Sequence, residues 1–140
     1  MVGMKTHRVV TQTVRTRDRS EMIDVTDHVQ QAVSEQGVRD GYVIVYVPHT
    51  TAAVTINENA DPDVKHDMIR KLEELIPQRE GYYRHAEGNS DSHVKTSIVG
   101  NSAMVIIEDG RLVLGRWQGI YFCEFDGPRS REMMVKVIEG

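Results

Sequence analysis

The segment YVIVYVPHTTAAVTINENADP, residues 42–62, decides the fold of this chain, because it holds two strands and a helix start in succession. Residues Tyr42 to Val47 are nearly all β-branched or aromatic, which predicts a buried strand that Pro48 ends. Ala53 to Asn57 predicts a second strand. Asp61-Pro62 then predicts a helix start, with aspartate as the N-cap and proline at the first helical position.

Helices are predicted on both sides of this segment. Downstream, apolar residues recur at helical spacing until Pro77, which ends the helix. They are Val64, Met68, Leu72 and Leu75. Upstream, Thr26 is the predicted cap of a helix that runs to Gly37, a residue type that commonly ends helices. A shorter helix is predicted from His93 to Val99, after the polar, irregular stretch Gln78 to Ser92.

The rest of the chain has the pattern of short strands. They are predicted at Arg8 to Thr16, Met22 to Val25, Met104 to Glu108, Leu112 to Leu114, Ile120 to Phe125 and Glu132 to Ile138. Short connections such as Asp109-Gly110, a dipeptide suited to tight hairpins, favour antiparallel pairing. The predicted fold class is therefore α+β, a mostly antiparallel sheet with two main helices, in a single domain spanning residues 1–140.

Composition excludes several classes of protein. The chain has 17 basic and 21 acidic residues, so no global cationic field attracts nucleic acid or an anionic membrane. It has no apolar segment long enough for a signal peptide or a membrane span, and a cytoplasmic location is expected. A single cysteine, Cys123, excludes an intramolecular disulfide and a zinc site of several thiolates, and its apolar surroundings predict a buried strand residue.

Polar side chains concentrate in two segments on either side of the central helix. The first holds His49, Thr50, Thr51, Asn57, Glu58, Asn59 and Asp61, and the second holds His85, Glu87, Asn89, Asp91, His93 and Lys95. Imidazoles serve as general acids, general bases or metal ligands near neutral pH. The spacing of the late histidines matches no established zinc motif, but three imidazoles brought together by folding would suffice for an open metal site. The alternative for the first segment is simple helix capping, and for the second a solvated loop.

A third segment carries the only tryptophan, Trp117, next to Gln118. The indole either anchors the core or forms a wall against a flat ring. Arg129 and Arg131 are candidates to supply positive charge, but the favoured interpretation is that both are solvated. The remaining histidines, His7, His28 and His66, are interpreted as surface residues.

Together these three segments resemble the YjbQ family, whose members are also described as secondary thiamine-phosphate synthases. The resemblance is carried by HTTAAVTINENADP (49–62), by the Tyr-x-His and His-x-Lys elements of YYRHAEGNSDSHVK (82–95), and by GRLVLGRWQGIYFCEFD (110–126). It implies an α+β fold, compact homotrimers, and a polar pocket near the subunit interfaces. It also implies a transferase that joins hydroxymethylpyrimidine diphosphate to thiazole phosphate with release of pyrophosphate. Arg116 departs from the small hydroxyl residue that is usual before Trp-Gln-Gly, and this bears on the rim of the pocket.

The predicted site combines these segments. The expected catalytic residues are His49, Glu58, His85 and His93. The expected substrate-binding residues are Thr51, Asn57, Asn59, Asp61, Lys95, Ser97, Trp117 and Gln118. His49, with Glu58 and Asn59, is expected to face His85, His93 and Lys95, and Trp117 is expected to close the pocket.

The expected ligand is a phosphorylated small molecule, with Lys95, Ser97 and the short helix as candidate contacts for its phosphate oxygens. A divalent metal, Mg²⁺ or Zn²⁺, is a candidate cofactor, with His49, His85 and His93 as its candidate ligands. No nucleic acid or membrane partner is expected. Two alternatives stay open: a metal-dependent hydrolase that uses the three histidines, and a small-molecule binding protein without turnover.

Overall fold

The computed structural model describes Gly3 and residues 5–140. The strands are β1 (Lys5–Thr6), β2 (Val10–Arg15), β3 (Glu21–Asp24), β4 (Gly41–Tyr46), β5 (Ala52–Glu58), β6 (Ser102–Glu108), β7 (Arg111–Leu112), β8 (Gln118–Glu124) and β9 (Ser130–Glu139). The helices are α1 (Thr26–Glu35), α2 (Pro62–Leu75) and α3 (Ser90–Val99). None of these helices is long and apolar enough to cross a membrane.

Within this described part of the chain the strands form two antiparallel sheets. The larger has the order β1-β9-β4-β6-β7, with β2 also paired to β9, and the smaller has the order β3-β8-β5. Strand β9 is long enough to pair with β2 through Ser130–Val135 and with β1 through Ile138 and Glu139, while β4 pairs along its other side. The larger sheet is therefore organised around its last strand.

The core lies between the two sheets, as strand alternation dictates. Every second residue of β4, β6 and β9 points inward, including Val43, Val105 and Val137, which are all buried. These residues pack against Ile120 and Phe122 of the smaller sheet. Helix α1 adds its buried apolar face, formed by Val29, Ala32 and Val33, to the same cluster.

The smaller sheet has a second apolar face, covered by α2 and α3. Met22, Ala53, Tyr121, Cys123 and Phe125 form this face, and Met68, Ile69, Leu72 and Val99 rest on it. All fourteen residues of α2 are described and none of them is buried. Helix α2 is therefore laid over the sheet and is not inserted into it.

The predicted α+β class is confirmed, with two differences. The strands form two sheets, and α3, at ten residues, is as long as α1, so there are three helices in the described residues. Helix α3 begins at Ser90, earlier than expected, because the Asn89 carbonyl already accepts hydrogen bonds from the amides of Ser92 and His93. The residues of this first turn are polar and typical of a loop, so the helix was predicted to begin later, at His93.

The local sequence signals at Asp61 and at Asp109-Gly110 were correct, and the one at Thr26 was not. Asp61 caps α2 by accepting from the Asp63 amide at 2.9 Å, and Asp109-Gly110 forms the β6–β7 turn with φ of 52° and 77°. Thr26 is not the cap of α1, since its hydroxyl donates to Asp24 and accepts from the Ile120 amide. Cys123 is buried in β8, as predicted.

Gly41 provides a test of the β4–β9 pairing. Its φ is +150°, and a Cβ at this position would lie 2.0 Å from the Ile138 carbonyl oxygen. Gly41→Ala is expected to lower the free energy of unfolding by roughly 2–5 kcal/mol, because backbone strain and overpacking add. Urea unfolding at fixed protein concentration measures it. Gly37→Ala is the matched control, since φ there is +67° with no atom near the added Cβ. A loss at Gly41 no larger than at Gly37 would contradict the proposed clash.

Candidate functional site

A polar cavity opens where β4 ends, β5 begins and α3 meets β6. Two adjoining hollows of about 450 and 490 Å³ share His49, Thr50 and Asn101. The first is also lined by His93, Thr96, Ser97 and Gly100, and the second by Tyr46, Pro48, Thr51, Arg129 and Arg131. We call the pair the His49 cavity.

Backbone hydrogen bonds bring these segments together. The Val47 amide donates to the Asn101 carbonyl at 2.8 Å, and the Val54 amide donates to the Gly100 carbonyl at 3.0 Å. The connection from α3 to β6 is therefore fixed against both ends of the β4–β5 connection. Residues that are about fifty positions apart in the chain, such as His49 and Asn101, consequently line one hollow.

His49 is half buried and has a defined protonation pattern. Its Nε2 accepts a hydrogen bond from the Glu132 amide at 2.9 Å, so in the neutral ring the proton resides on Nδ1. Burial lowers the pKa of His49, and the nearby Arg131 guanidinium lowers it further, which favours the neutral ring. A neutral imidazole with Nε2 occupied offers an N–H donor and no free lone pair. In this arrangement His49 is not available as a metal ligand.

Beneath His49 lies a buried ion pair between Glu124 and Arg131, which are 0% and 3% exposed. Glu124 accepts from Arg131 Nε at 2.8 Å, from a second guanidinium nitrogen, and from the Thr16 hydroxyl at 2.8 Å. Burial would raise the pKa of Glu124, but hydrogen bonds from Arg131, from the Asp126 amide and from Thr16 outweigh burial and lower it. The interpretation of Arg131 as solvated was wrong.

Arg131 also fixes Thr51. The same guanidinium donates to the Thr51 hydroxyl at 2.8 Å and to the Thr51 carbonyl at 3.2 Å. Thr51 was predicted to bind substrate, and it is buried with its hydroxyl already accepting from Arg131. Its direct structural role is to anchor the β4–β5 connection.

The two late histidines lie side by side at the cavity. The ring centroids of His85 and His93 are 5.4 Å apart in an edge-to-face arrangement. His93 lines the cavity, whereas the His85 side chain is 46% exposed and lies 3.5 Å from Glu87. Among the described residues no group of three or more His, Cys, Asp or Glu is arranged to hold a metal ion. The three-histidine metal site is therefore not formed within one chain.

Lys95 occupies a different place from the one expected. It is 1% exposed, and its Nζ donates to Asp91 at 2.9 Å, one helical turn earlier in α3. Arg19 binds the same carboxylate through two nitrogens, at 3.0 and 2.9 Å. Burial alone would raise the pKa of Asp91, but the hydrogen bonds from Arg19 and Lys95 lower it. Lys95 lines a separate hollow of about 300 Å³ with Arg19 and Glu73, and it is absent from the lining of the His49 cavity.

The buried pair of Lys95 and Asp91, with half-buried Arg19 beside it, predicts a strong and specific effect on stability. Asp91→Asn leaves Lys95 as an uncompensated buried charge and is expected to lower the free energy of unfolding by about 3–5 kcal/mol. Adding Lys95→Met removes that charge, so the double variant is expected to be more stable than the single one. Urea unfolding in a double-mutant cycle measures the coupling. Losses that simply add would contradict the assigned pairing.

The remaining predicted residues lie at the opposite end of the smaller sheet. Strand β5 runs from Ala52 to Glu58, which spans roughly 20 Å. Glu58 pairs with Gln118 at the far end of β5 from His49. The expectation that Glu58 and Asn59 face His85 and His93 is thus not met within one chain. The far-end residues that were predicted to belong to the site are Asn57, Glu58, Asn59, Asp61, Trp117 and Gln118.

Most polar groups at this far end have local partners. Asn59 donates to Asp24 at 3.1 Å, and the Gln118 side chain accepts from the Gly115 amide at 2.7 Å. Trp117 is 53% exposed, with the Arg116 guanidinium 4.8 Å from its ring centroid. The indole neither anchors the core nor closes the His49 cavity of the same chain.

Sequence reasoning missed several residues of the cavity. Thr96 and Asn101 line it without a sequence signal beyond their polarity. Arg129, which was interpreted as solvated, borders the cavity, is half exposed and donates to Asp126 at 3.1 Å.

Two signals were available for the buried ion pairs. Asp91 and Lys95 stand four positions apart, and Glu124 interrupts an apolar strand that gives its carboxylate no other reason to be buried. His7 was interpreted as a surface residue, whereas the structure places it half buried beside Glu139.

Comparison with known proteins places the chain among close relatives. The family model described as UPF0047 protein YjbQ-like matches residues 10–140. A UPF0047 protein of Methanocaldococcus jannaschii is 55% identical over 89% of this chain and 90% of its own length. UPF0047 protein YugU of Bacillus subtilis is 54% identical over 89% of this chain and 95% of its own length.

Solved structures of relatives have the same fold. A YjbQ/UPF0047-family protein from Clostridium acetobutylicum superimposes with a TM-score of 0.89 at 51% identity, covering 91% of this chain and 98% of that one. A YbjQ-like protein of unknown function from Sulfolobus solfataricus gives a TM-score of 0.92 at 29% identity, covering 99% and 100%. The architecture is thus retained as identity falls by almost half.

Proposed function

Because this chain belongs to the UPF0047 YjbQ-like family, we propose that it binds a phosphorylated small molecule in the His49 cavity and acts as a thiamine-phosphate-synthase-like transferase. One observation carries the proposal. The described residues that line the cavity include Arg129, two histidines, several hydroxyls and an amide, together with Arg131, which is paired with Glu124, and none of them is Asp or Glu. A lining of donors without a carboxylate suits an oxyanion, which accepts hydrogen bonds and is repelled by negative charge.

The proposed reaction joins hydroxymethylpyrimidine diphosphate to thiazole phosphate. The bond between the pyrimidine methylene carbon and the diphosphate oxygen breaks, the thiazole nitrogen supplies the electron pair for a new C–N bond, and pyrophosphate leaves. Negative charge grows on the departing oxygen, and preorganised donors stabilise it most where water is excluded. Arg129 and the Nδ1–H of His49 are the proposed donors. Both residues line the cavity, and Arg129 has N–H groups beyond the two that it donates to Asp126, whereas Lys95 is buried and committed to Asp91.

A divalent cation, Mg²⁺ or Zn²⁺, would neutralise part of the diphosphate charge. The described residues present no three-ligand cluster for such an ion, so the donor set fits a cation carried on the diphosphate oxygens better than a resident one. His93, which lines the cavity, and His85, whose ring lies beside it and near Glu87, are the proposed groups for proton transfer.

The function is tested by binding and by turnover. His49→Ala/His93→Ala and Arg129→Gln are expected to weaken pyrophosphate binding, measured by calorimetry, by about tenfold or more, because each removes a donor to a charged ligand. The same variants are expected to lose most synthase activity with both substrates and Mg²⁺. His66→Ala, an exposed residue on α2, is the matched control.

The outcomes separate the alternatives. Synthase activity that is unchanged in His49→Ala/His93→Ala would remove this cavity from the mechanism. Pyrophosphate binding without any product would favour a binding protein without turnover. A tightly bound metal in protein purified without a histidine tag, together with hydrolysis of phosphate esters, would favour a metal-dependent hydrolase.

We further propose that copies of this chain associate into the homotrimer implied by the family resemblance. The outer face of the larger sheet carries an apolar stripe of exposed Tyr46, Met104 and Ile106 with half-buried Ile44 and Met134. The registers Ile44↔Met104 and Tyr46↔Met134 make these side chains neighbours. The described helices pack elsewhere, and an apolar face of this kind is typical of an interface. Tyr46 also borders the His49 cavity, so a second copy on this face would adjoin the site.

Association is tested by light scattering. The chain is expected to have the mass of three copies, and Met104→Asp/Ile106→Asp is expected to reduce it to that of one, because two charges would be buried at the interface. Leu75→Asp, which changes an equally exposed apolar residue at the end of α2, is expected to leave the mass unchanged. A single-chain mass for the unaltered protein would refute the proposal.

A further inference from the structure

The His49 cavity rests on a clamp made by the first residues of β9. The Arg131 side chain reaches down to Glu124, at the end of β8, and across to Thr51, in the β4–β5 connection. The amide of the next residue, Glu132, points to the same connection and donates to His49 Nε2 at 2.9 Å. Two residues of β9 thus hold two residues of one loop, one through a side chain and one through the backbone.

We infer that Glu124 and Arg131 are positioning residues that hold His49 as an Nδ1–H hydrogen-bond donor. Glu124 is fully buried, and its carboxylate receives bonds from Arg131, Thr16 and two backbone amides, so it has little freedom to move. Its partner Arg131 therefore has one guanidinium placement, and the backbone at Glu132 follows from it. The His49 ring is oriented by a backbone N–H that lies beside this pair.

As a consequence, the cavity favours ligands whose atoms accept hydrogen bonds. His49 lines the cavity with Nε2 occupied by an amide donor, so its other ring nitrogen carries the N–H and suits acceptor atoms, such as phosphoryl or carboxylate oxygens. It does not accept a proton or a metal ion without losing the Glu132 bond. This inference concerns the same cavity as the proposed function, but it holds for any acceptor ligand and does not rest on the synthase reaction.

Nuclear magnetic resonance of ¹⁵N-labelled protein tests the inference without a substrate. Long-range ¹H–¹⁵N correlations are expected to show His49 protonated at Nδ1 and unprotonated at Nε2. A nitrogen–nitrogen coupling across the hydrogen bond is expected between the Glu132 amide and Nε2. A proton on Nε2 in the unaltered protein would overturn the inference at once.

Variants test the role of the pair itself. Glu124→Leu/Arg131→Met replaces the buried ions with apolar groups of similar size, an exchange that folds tolerate. In this folded variant the coupling to Glu132 is expected to disappear and His49 to populate both tautomers. Arg19→Gln, which disturbs the other carboxylate clamp at Asp91, is the control and is expected to leave the His49 signals unchanged.

If the double variant does not fold, Arg131→Lys takes its place, because lysine keeps the charge and loses the fork that reaches Thr51 and Glu124 together. Loss of the Nδ1–H signature in Arg131→Lys supports the inference. An unchanged signature in either folded variant overturns it, even if pyrophosphate binding and synthase activity are confirmed. Conversely, a confirmed tautomer with no pyrophosphate binding would contradict only the proposed function.

Discussion

The two sheets of this protein meet at one end, and the buried pair between Glu124 and Arg131 joins them there. Glu124 is the last residue of β8, the central strand of the smaller sheet, and Arg131 lies near the start of β9, which pairs with β1, β2 and β4 of the larger sheet. Charges this deep are costly unless every lone pair and proton is used, and here the carboxylate receives bonds from two side chains and two amides. The guanidinium also donates to Thr51. The β4–β5 connection is thereby fixed against the pair that joins the end of β8 to the start of β9.

The location of the His49 cavity follows from this arrangement. The β4–β5 and β8–β9 connections and the end of α3 converge where strand pairing stops, and backbone hydrogen bonds outside the sheets hold these segments together. Of the buried pair, Arg131 lines the cavity, whereas Glu124 is absent from its lining. The opposite end of the smaller sheet carries half-buried Glu58 and exposed Trp117. The polar residues that carry the family resemblance therefore lie at two opposite ends of the smaller sheet. Association of several copies would be a way to bring these ends together.

Much of the fold was predictable because it depends on signals that are local in sequence. The Val-rich run of β4, the Asp61-Pro62 start of α2 and the Asp109-Gly110 turn each act through their own backbone or side chain. The division into two sheets was not predictable in this way, since it depends on which strands β9 pairs with. The same limit applied to the site. His49 and His93 line one cavity, while Lys95 and Arg131 are paired with buried carboxylates, because burial and long-range partners determine whether a cation faces a ligand or a carboxylate.

Helix α2 stands apart from this tightly tied body. No residue along its length is buried, and it rests on the smaller sheet through half-buried methionine, isoleucine and leucine side chains. Its separation from the sheet would expose the apolar layer around Cys123 and Phe125 while leaving the core between the sheets closed. Local opening of this kind has a lower free energy than global unfolding and a faster rate. We therefore expect α2 to open locally more readily than the body formed by the two sheets.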